Sequence, residues 1–317
     1  MSRFYEITPL DTLFFRGSTP IEAGQYNTES LFPPPVSVIK GALWTAYCQK
    51  NGKRFDDGLR DGVIPFEITG LFIKKDGKTY VPAPATWYYD SDEKVFSGKD
   101  CAGKTLCAAA VSKNETFKKL GMKSSAKEVV FVVPKKDAKP LNGAWIHTGF
   151  LKNPKSQFTE DSVLLASDIF SKEPRSCVAL DSNRITQNGQ LYTSTHIRLH
   201  ESISFVVSVE GDFDFGQGKI LLGGEKRLVS CKKTDSISFT DLSNCLQYLS
   251  LVPVVAAEEN LSKLVASAKI FMTSGWDLNK GFHKPSVSWI PAGAVFKENI
   301  DTICVPLADV PATKGDE

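Results

Sequence analysis

The amino-acid sequence predicts an α+β fold with a ferredoxin-like order of strands and helices. Three observations predict it: a short strand followed by an apolar-striped helix near the N-terminus, alternating strands later in the chain, and a glycine-rich loop that leads into a further strand. The order strand, helix, two strands, short helix, loop and strand is the ferredoxin-like pattern. Because this fold supports many unrelated functions, the function has to be predicted from particular residues.

The first strand and the first helix are predicted between residues 3 and 52. Arg3–Leu10 alternates enough to form a strand. A helix is expected after Pro33–Pro35, because a proline in a first turn lacks only an N–H that would have no partner there. Asn51-Gly52 is expected to end this helix. Apolar residues recur between these limits at helical spacing: Val36, Ile39, Leu43 and Tyr47.

The later elements are predicted from alternation and turn signals. Val63–Val81 is predicted to form two strands, with Asp76-Gly77 as the turn between them. Gly211–Leu222 is expected to hold a brief helix. Further strands are predicted over Leu191–His200, Ser202–Val209, Leu228–Cys231, Lys269–Thr273 and Ala294–Lys297.

The length of 317 residues predicts about two domains. We expect a first domain over residues 1–234, interrupted by an elaborate insertion over about residues 52–175, and a second domain over residues 235–317. Hydrophobic residues make up 42% and charged residues 23% of the chain, which is typical of a soluble protein. No apolar run approaches membrane-spanning length, and the N-terminus lacks the layout of a secretory signal. These features predict a cytoplasmic protein that does not contact a membrane.

The distribution of charge is uneven although the net charge is only +2. Between Lys94 and Lys139 there are 11 lysines, no arginine and 4 acidic residues, a local net charge of +7. The remainder has 27 basic and 32 acidic residues, a net charge of −5. A basic segment on a mildly acidic body can bind a polyanion. The alternative is a solvated, lysine-rich loop.

The most informative local motif is Leu222-Gly-Gly-Glu-Lys-Arg-Leu228. Gly223 and Gly224 expose backbone N–H groups and permit another chain to approach closely. Arg227 can bind phosphate through two donors, whereas Lys226 acts as a point charge. This combination suits a bent RNA backbone, and the spacing of a nucleotide-binding P-loop is missing. The alternative is a tight turn with surface charges.

A second cluster places Arg184, Tyr192 and Arg198 on or beside adjacent predicted strands. Aromatic rings can stack on bases, and guanidinium groups bind phosphates or stack. The alternative is a β-hairpin in which Tyr192 belongs to the core. Gly275-Trp276 follows a strand and predicts either a stacking platform or a buried corner.

The sequence contains few features that would indicate an enzyme. The two histidines closest in sequence, His196 and His200, lie on a predicted strand, where they cannot form the paired metal ligands of a helix. The seven cysteines show no Cys-x-x-Cys spacing, which gives a structural zinc site no support. Neither a Gly-x-Ser-x-Gly elbow nor a dinucleotide motif occurs. We therefore expect no catalytic residue, no metal and no cofactor.

Together these segments resemble one family, a RAMP-superfamily subunit of the type III-B (Cmr) CRISPR effector complex. The subunit in question binds the 5′ handle of the CRISPR RNA (crRNA) and pairs with the large polymerase-like subunit. The segments that carry the resemblance, in their order along the chain, are Thr8–Pro20, Pro33–Leu43, Val178–Asp181 with Arg184 and Thr186, Gly189–Tyr192, Leu222–Arg227 and Gly275-Trp276.

The resemblance implies two ferredoxin-like domains related to the RNA-recognition motif. It implies binding of the crRNA 5′ handle and contacts with the large subunit and with a neighbouring backbone RAMP subunit. Target cleavage in such complexes is attributed to the backbone subunits, so the resemblance implies a protein that is not an enzyme. The residues that it implies for RNA binding are Arg16, Gly17, Lys40, Gly41, Arg184, Tyr192, Arg198, Gly223, Gly224, Lys226, Arg227 and Trp276.

Two alternatives stay open at this point. The first is a crRNA-processing endoribonuclease of the same superfamily, with His196 or His200 as the general base. The second is a protein-only scaffold whose lysine-rich insertion keeps it in solution.

Overall fold

A computed structural model describes residues 2–17, 26–53, 64–90, 101–113, 128–131, 138–141, 143–180, 182–239, 247–274, 276–277 and 281–310. Strands dominate this part of the chain and helices are few, which confirms the α+β class. No helix in the described ranges is long and apolar enough to span a membrane.

The strands are numbered in chain order. They are β1 (Arg3–Pro9), β2 (Tyr26–Glu29), β3 (Phe66–Lys75), β4 (Lys78–Pro82), β5 (Trp87–Asp90), β6 (Leu106–Ala108), β7 (Ala110–Lys113), β8 (Glu128–Phe131), β9 (Ala138–Pro140), β10 (Trp145–His147), β11 (Val163–Leu164), β12 (Phe170–Leu180), β13 (Thr186–Leu199), β14 (Ile203–Gly211), β15 (Gln217–Leu222), β16 (Arg227–Thr234), β17 (Gln247–Ser250), β18 (Val254–Val255), β19 (Leu264–Ala266), β20 (Phe271–Thr273), β21 (Trp276–Asp277), β22 (Phe282–His283), β23 (Val287–Ile290), β24 (Val295–Phe296) and β25 (Cys304–Leu307).

The helices are α1 (Val36–Lys50), α2 (Thr148–Lys152), α3 (Ala166–Ile169) and α4 (Glu258–Lys263), with 3₁₀ helices at Gly224–Lys226 and Asp301–Ile303. The chain divides into two compact units. The first consists of Met1–Gly77, Ile169–Ile237 and Thr273–Ser286, and the second of Lys78–Asp168, Ser238–Met272 and Val287–Glu317. The predicted domain boundary between residues 234 and 235 stays a prediction.

The first unit is built on an antiparallel sheet with strands in the order β3-β14-β1-β16-β15. Helix α1 packs against this sheet, and its Ile39 and Leu43 are fully buried. Alternate strand residues such as Tyr5, Ile7 and Phe205 supply the facing core and are also fully buried. Pro35 precedes the first turn and Asn51 caps the end, so the predicted limits of this helix are confirmed.

A second sheet of the first unit has the order β12-β13-β2. Strands β12 and β13 form a long antiparallel hairpin, and β2 adds to β13 in parallel. The sequence predicted the strand over Leu191–His200, which lies within β13 except for its last residue. It placed most of β12 in a loop-rich insertion instead, because the alternating residues of β12 are polar.

The brief helix predicted over Gly211–Leu222 is wrong. Residues Gln217–Leu222 form β15, which pairs with β16 along its whole length. Ile220 and Leu222 are buried while Leu221 is exposed, which is the period of a strand. A short turn, Gly224–Lys226, begins two residues after β15 ends and lies inside the predicted loop.

The second unit contains several small antiparallel sheets. Its strands pair in the orders β11-β10-β4, β6-β5-β9 and β19-β24-β17-β25, with β7 paired to β8 and β18 to β23. One core cluster of this unit, near residues 254–304, is formed by Val254, Ile290, Ala294, Phe296, Ile300 and Cys304. The strand predicted over Ala294–Lys297 is confirmed as β24, and that over Lys269–Thr273 as β20.

A nearly buried carboxylate lies on the main sheet of the first unit. Glu6 on β1 accepts hydrogen bonds from Lys74 Nζ at 3.0 Å and from Ser204 Oγ at 2.8 Å, and Lys232 Nζ lies 3.4 Å from its Oε2. Burial alone would raise the pKa of Glu6, but the hydrogen bonds from Lys74 and Ser204 outweigh it and hold the pKa below its usual value.

We therefore expect Glu6 to make the first unit less stable as the pH falls into the acid range. A carboxyl whose pKa is lower in the folded state stabilises above its unfolded pKa, and this contribution is lost as the pH falls through the folded value. Urea unfolding between pH 7 and about pH 3 measures it. The free energy of unfolding of Glu6→Gln should change less over this range than that of the natural protein. Glu67→Gln, at a carboxylate whose side chain is 71% exposed, is the control. Identical pH profiles for Glu6→Gln and the natural protein would contradict the role of Glu6.

Candidate nucleic-acid interface

The N-terminal segment after β1 is fixed across the hairpin of the first unit. Leu13 N–H donates to the Ile197 carbonyl at 2.7 Å, and Ile197 N–H donates back to the Leu13 carbonyl at 2.8 Å. The following Phe14 and Phe15 are buried. Arg16 comes immediately after this anchored segment and is exposed. Within the described part of the chain, its guanidinium has no hydrogen-bond or ion-pair partner.

The glycine pair packs against this same segment. Gly224 N–H donates to the Phe14 carbonyl at 2.8 Å. Gly223 has φ +76°, and a Cβ at this position would lie 2.6 Å from the Phe14 carbonyl oxygen. The two glycines therefore permit a close approach to the protein's own backbone at Phe14. Both glycines are half-buried, and their contact with RNA stays a prediction.

The residues after the glycine pair adopt an uncommon backbone conformation. Glu225 and Lys226 have φ values of 57° and 51°, in the left-handed region that residues other than glycine rarely adopt. Glu225 is held there by an ion pair with Arg227. Lys226 is exposed, and no described residue hydrogen-bonds or pairs with its ammonium group.

Strand register brings charged side chains to one face of the hairpin. Glu173 of β12 lies opposite His196 of β13, and Arg175 lies opposite Ser194. Residues directly opposite each other in an antiparallel pair project from the same face, and so do residues two positions along each strand. Arg198, two residues beyond His196, therefore joins Glu173 and Arg175 on this face.

Asp11 lies at the centre of these charges. Its Oδ1 is 3.3 Å from Arg198 Nη2 and 3.8 Å from Arg175 Nη2, and its Oδ2 is 3.0 Å from Arg227 Nη1. Glu173 binds Arg198 Nε at 2.6 Å and Arg175 Nη2 at 2.8 Å. We call this set the Asp11 network; its members are Asp11, Glu173, Arg175, Arg198, Glu225 and Arg227.

The Asp11 network lowers the pKa of two of its carboxylates. The pKa of Asp11 is lowered by a hydrogen bond from the Thr12 backbone N–H and by the nearby guanidinium groups. The pKa of Glu173 is lowered chiefly by hydrogen bonds from Arg198 and Arg175. Three carboxylates thus balance three guanidinium groups.

His196 is fully buried beside this network. Its Nδ1 lies 3.3 Å from Thr12 Oγ1 and its Nε2 lies 3.2 Å from Ser194 Oγ, and the ring stacks on Phe14 with centroids 5.0 Å apart. Burial lowers the pKa of His196, although Glu225 at 3.6 Å from Nε2 opposes this effect. The environment favours a neutral ring with a structural role.

Tyr192 is half-exposed on the same hairpin, opposite Cys177. Partial burial raises the pKa of its phenol, and Cys177 and Glu225 act in the same direction. Arg184 lies in the hairpin turn, beyond the last strand pair of Leu180 and Thr186. It is exposed with φ 62°, and its guanidinium has no partner among the described residues.

The structure does not bring every predicted site residue to this face. Lys40 on α1 forms an ion pair with Glu67 of β3, which lies three strand spacings, about 14 Å, from β16. Gly41 lies within the same helix, and a Cβ there would meet nothing within 4 Å. Gly17 is half-buried beside Arg16.

Trp276 lies in β21, paired with His283, and its side chain lies outside the described part of the structure. Much of the lysine-rich segment also lies outside it, namely residues 94–100, 114–127 and 132–137. Among the described residues, no group of three or more His, Cys, Asp or Glu side chains is placed to hold a metal ion.

The sequence did not identify the carboxylates of the Asp11 network. Asp11 stands inside the quoted Thr8–Pro20 segment, but nothing in that segment indicates that it meets arginines from β12, β13 and β16. The pattern Glu173-Pro-Arg175 places opposite charges on one strand face and is the signal from which part of the network could have been found.

Comparisons with known proteins give one family. Residues 5–247 match the family described as CRISPR-associated protein (Cas_Cmr3). No curated protein matches the chain.

Solved structures show the fold. A chain in a cryo-EM structure of the type III-B Cmr-beta bound to cognate target RNA and AMPPnP is 20% identical, with a TM-score of 0.56 over 93% of this chain and 86% of that chain. A chain in the Cmr-beta structure bound to cognate target RNA is 18% identical, with a TM-score of 0.55 and the same coverages. The family match spans well over half of the sequence, and the chain therefore belongs to the Cas_Cmr3 family of CRISPR-associated proteins.

Proposed function

We propose that this chain is a non-catalytic, RNA-binding subunit of a type III-B CRISPR antiviral ribonucleoprotein in the cytoplasm. It anchors the 5′ repeat handle of the crRNA and docks the large polymerase-like subunit and a neighbouring backbone RAMP subunit. Family membership supports this proposal, as does the fold shared with chains of Cmr-beta structures that hold target RNA.

The observation that carries the RNA-binding part of the proposal is a set of exposed cations that have no partner among the described residues. Arg16, Arg184 and Lys226 all lie in the first unit, on segments next to the hairpin or at its turn. Two of them, Arg184 and Lys226, hold a left-handed backbone conformation, which persists where the surrounding structure maintains it and is frequent at functional sites. Phosphates bind such free cations with little competition from the protein's own carboxylates.

A half-exposed aromatic ring adds the second element of single-strand recognition. Tyr192 can stack on a base while cations on the neighbouring loops hold the backbone. RNA contacts by Lys40, Arg198, Arg227 and Trp276 and by the four glycines stay predictions.

We also propose that both domains are ferredoxin-like. In the first unit, β1 lies between β14 and β16, and β3 follows β14 in the sheet. Since α1 connects β1 to β3, and β14 and β16 come later in the chain, this order matches a split β-α-β arrangement and supports the proposal. For the second domain, over residues 235–317, the support is the family resemblance.

Removing the cations that have no described partner should weaken RNA binding. We expect Arg184→Ala and Lys226→Ala each to lower the affinity for repeat-handle RNA. Each should also reduce the salt slope by about 0.7 for every phosphate of a single strand that the variant no longer neutralises. Filter binding between about 50 and 200 mM salt measures both quantities. Lys219→Ala, at an exposed lysine of β15 in the same unit, is the matched control. If Arg184→Ala and Lys226→Ala both keep the salt slope of the natural protein, these loops are not part of the RNA site.

The endoribonuclease alternative predicts a different result. It needs a general base within reach of the RNA 2′-hydroxyl, but His196 is fully buried between two side-chain hydroxyls. We expect no specific cleavage when the purified protein is incubated with labelled repeat RNA without metal. Specific cleavage that is abolished in His196→Ala, or in His200→Ala at the exposed histidine, would support the nuclease and overturn the non-catalytic proposal.

Docking in the complex is tested by purifying the tagged chain from its host. The proposal expects the large subunit, a backbone RAMP subunit and crRNA with an intact 5′ handle in the purified material. A chain that elutes without RNA would instead favour the protein-only scaffold.

A further inference from the structure

The arginines of the candidate interface differ in whether a phosphate can reach them. Arg198 has Asp11 and Glu173 as partners, and Arg227 has Asp11 and Glu225. Arg175 also binds both Asp11 and Glu173. Each guanidinium group in the Asp11 network is therefore directed at two carboxylates of the protein.

Asp11 is the shared partner of all three arginines. It contacts one arginine from each of three strands, β12, β13 and β16. Its position does not depend on these ion pairs alone, because the backbone two residues away is held by the paired hydrogen bonds between Leu13 and Ile197. The backbone contact thus positions the Asp11 carboxylate next to the arginines.

The arginine cluster is not closed off from solvent. The side chain of Arg198 is 47% exposed and that of Asp11 is 46% exposed. An RNA phosphate could therefore come close to the cluster, where Asp11, Glu173 and Glu225 together neutralise the three guanidinium groups and Asp11 is the carboxylate that contacts all three. A phosphate would have to displace this carboxylate before it could bind.

We propose that Asp11 is a specificity-determining residue: its carboxylate occupies the cluster of Arg175, Arg198 and Arg227 and withholds it from RNA phosphates. This inference rests on the proposed function of the chain in RNA binding. Phosphate contacts carry no sequence information, so an arginine cluster with a net positive charge would bind any RNA. Occupation by Asp11 leaves phosphate binding to the cations on the loops, Arg16, Arg184 and Lys226. The RNA contacts predicted for Arg198 and Arg227 are then not made by the natural protein. Specificity of this kind depends on a repulsive group as much as on attractive ones.

The test is the isosteric variant Asp11→Asn, which keeps the side-chain shape and removes the negative charge. We expect its affinity for a polyuridine oligonucleotide to rise and its salt slope to steepen by about 0.7 for each additional phosphate that is bound. Between about 50 and 200 mM salt, one added phosphate makes the affinity fall roughly threefold more than that of the natural protein. Affinity for the repeat handle should rise less, so that the ratio of handle to polyuridine affinity falls.

Asp161→Asn is the matched control, because it also removes one carboxylate from an exposed ion pair. Asp161 Oδ2 lies 2.7 Å from Lys78 Nζ, its side chain is 50% exposed, and its positive φ of 61° is one that asparagine tolerates. This variant should bind polyuridine like the natural protein. Thermal unfolding of each variant shows whether the fold is intact.

Glu173→Gln provides a second route if Asp11→Asn does not fold. It removes a carboxylate from Arg175 and Arg198 and should steepen the polyuridine salt slope in the same direction. An unchanged or shallower slope in the folded variant would overturn the inference. It would mean that the arginines already bind RNA phosphates in the natural protein, or that they bind none even without the carboxylate. A natural protein without salt-dependent affinity for any RNA would instead contradict the proposed function itself.

Discussion

Two hydrogen bonds between Leu13 and Ile197 hold the N-terminal segment on the hairpin, and the candidate interface depends on this contact. It fixes the Phe14 carbonyl where Gly224 N–H can reach it, and this bond ties the glycine-rich loop to the same segment. It also places Asp11 among arginines of three strands. Arg16, which has no partner in the described ranges, follows this anchored segment directly. One short backbone contact therefore positions both Asp11 and Arg16.

The elements that the sequence predicted well are those with a strong apolar period. Helix α1 has its stripe on one side, with Ile39 and Leu43 fully buried, and its limits follow from Pro35 and Asn51. The turn at Asp76-Gly77 is confirmed, since both residues have the positive φ that such a turn requires. In these places, local preference and tertiary packing favour the same structure.

The elements that were missed are those whose period is carried by polar residues. Strand β12 alternates through Glu173, Arg175 and Cys177, and two of these are charged side chains satisfied by ion pairs. Hydropathy gives no signal for such a strand. Strand β15 was mistaken for a brief helix, because it is short and contains a glycine. Its pairing with β16 decides its structure, and that pairing is not visible in the local sequence.

Among the site residues, the sequence indicated arginines and glycines but not their partners. Arg198 and Arg184 are equally plausible phosphate ligands in the sequence, yet one is in ion pairs and the other has no partner in the described structure. The difference arises from Asp11 and Glu173, which come from distant parts of the chain. Positive charge in a sequence therefore does not reveal which arginines the fold has already paired with carboxylates.

The long chain separation within this interface has a consequence for how the protein is made. Thr12 and His196, which share a hydrogen bond, are 184 residues apart. Contacts of such separation form late, because the closure entropy of the intervening loop opposes them until other structure is in place. During synthesis, the ribosome must pass residue 200 before Phe14 and Phe15 can be covered. Until then these aromatic rings are exposed on the nascent chain, where transiently exposed apolar surface favours aggregation or chaperone binding.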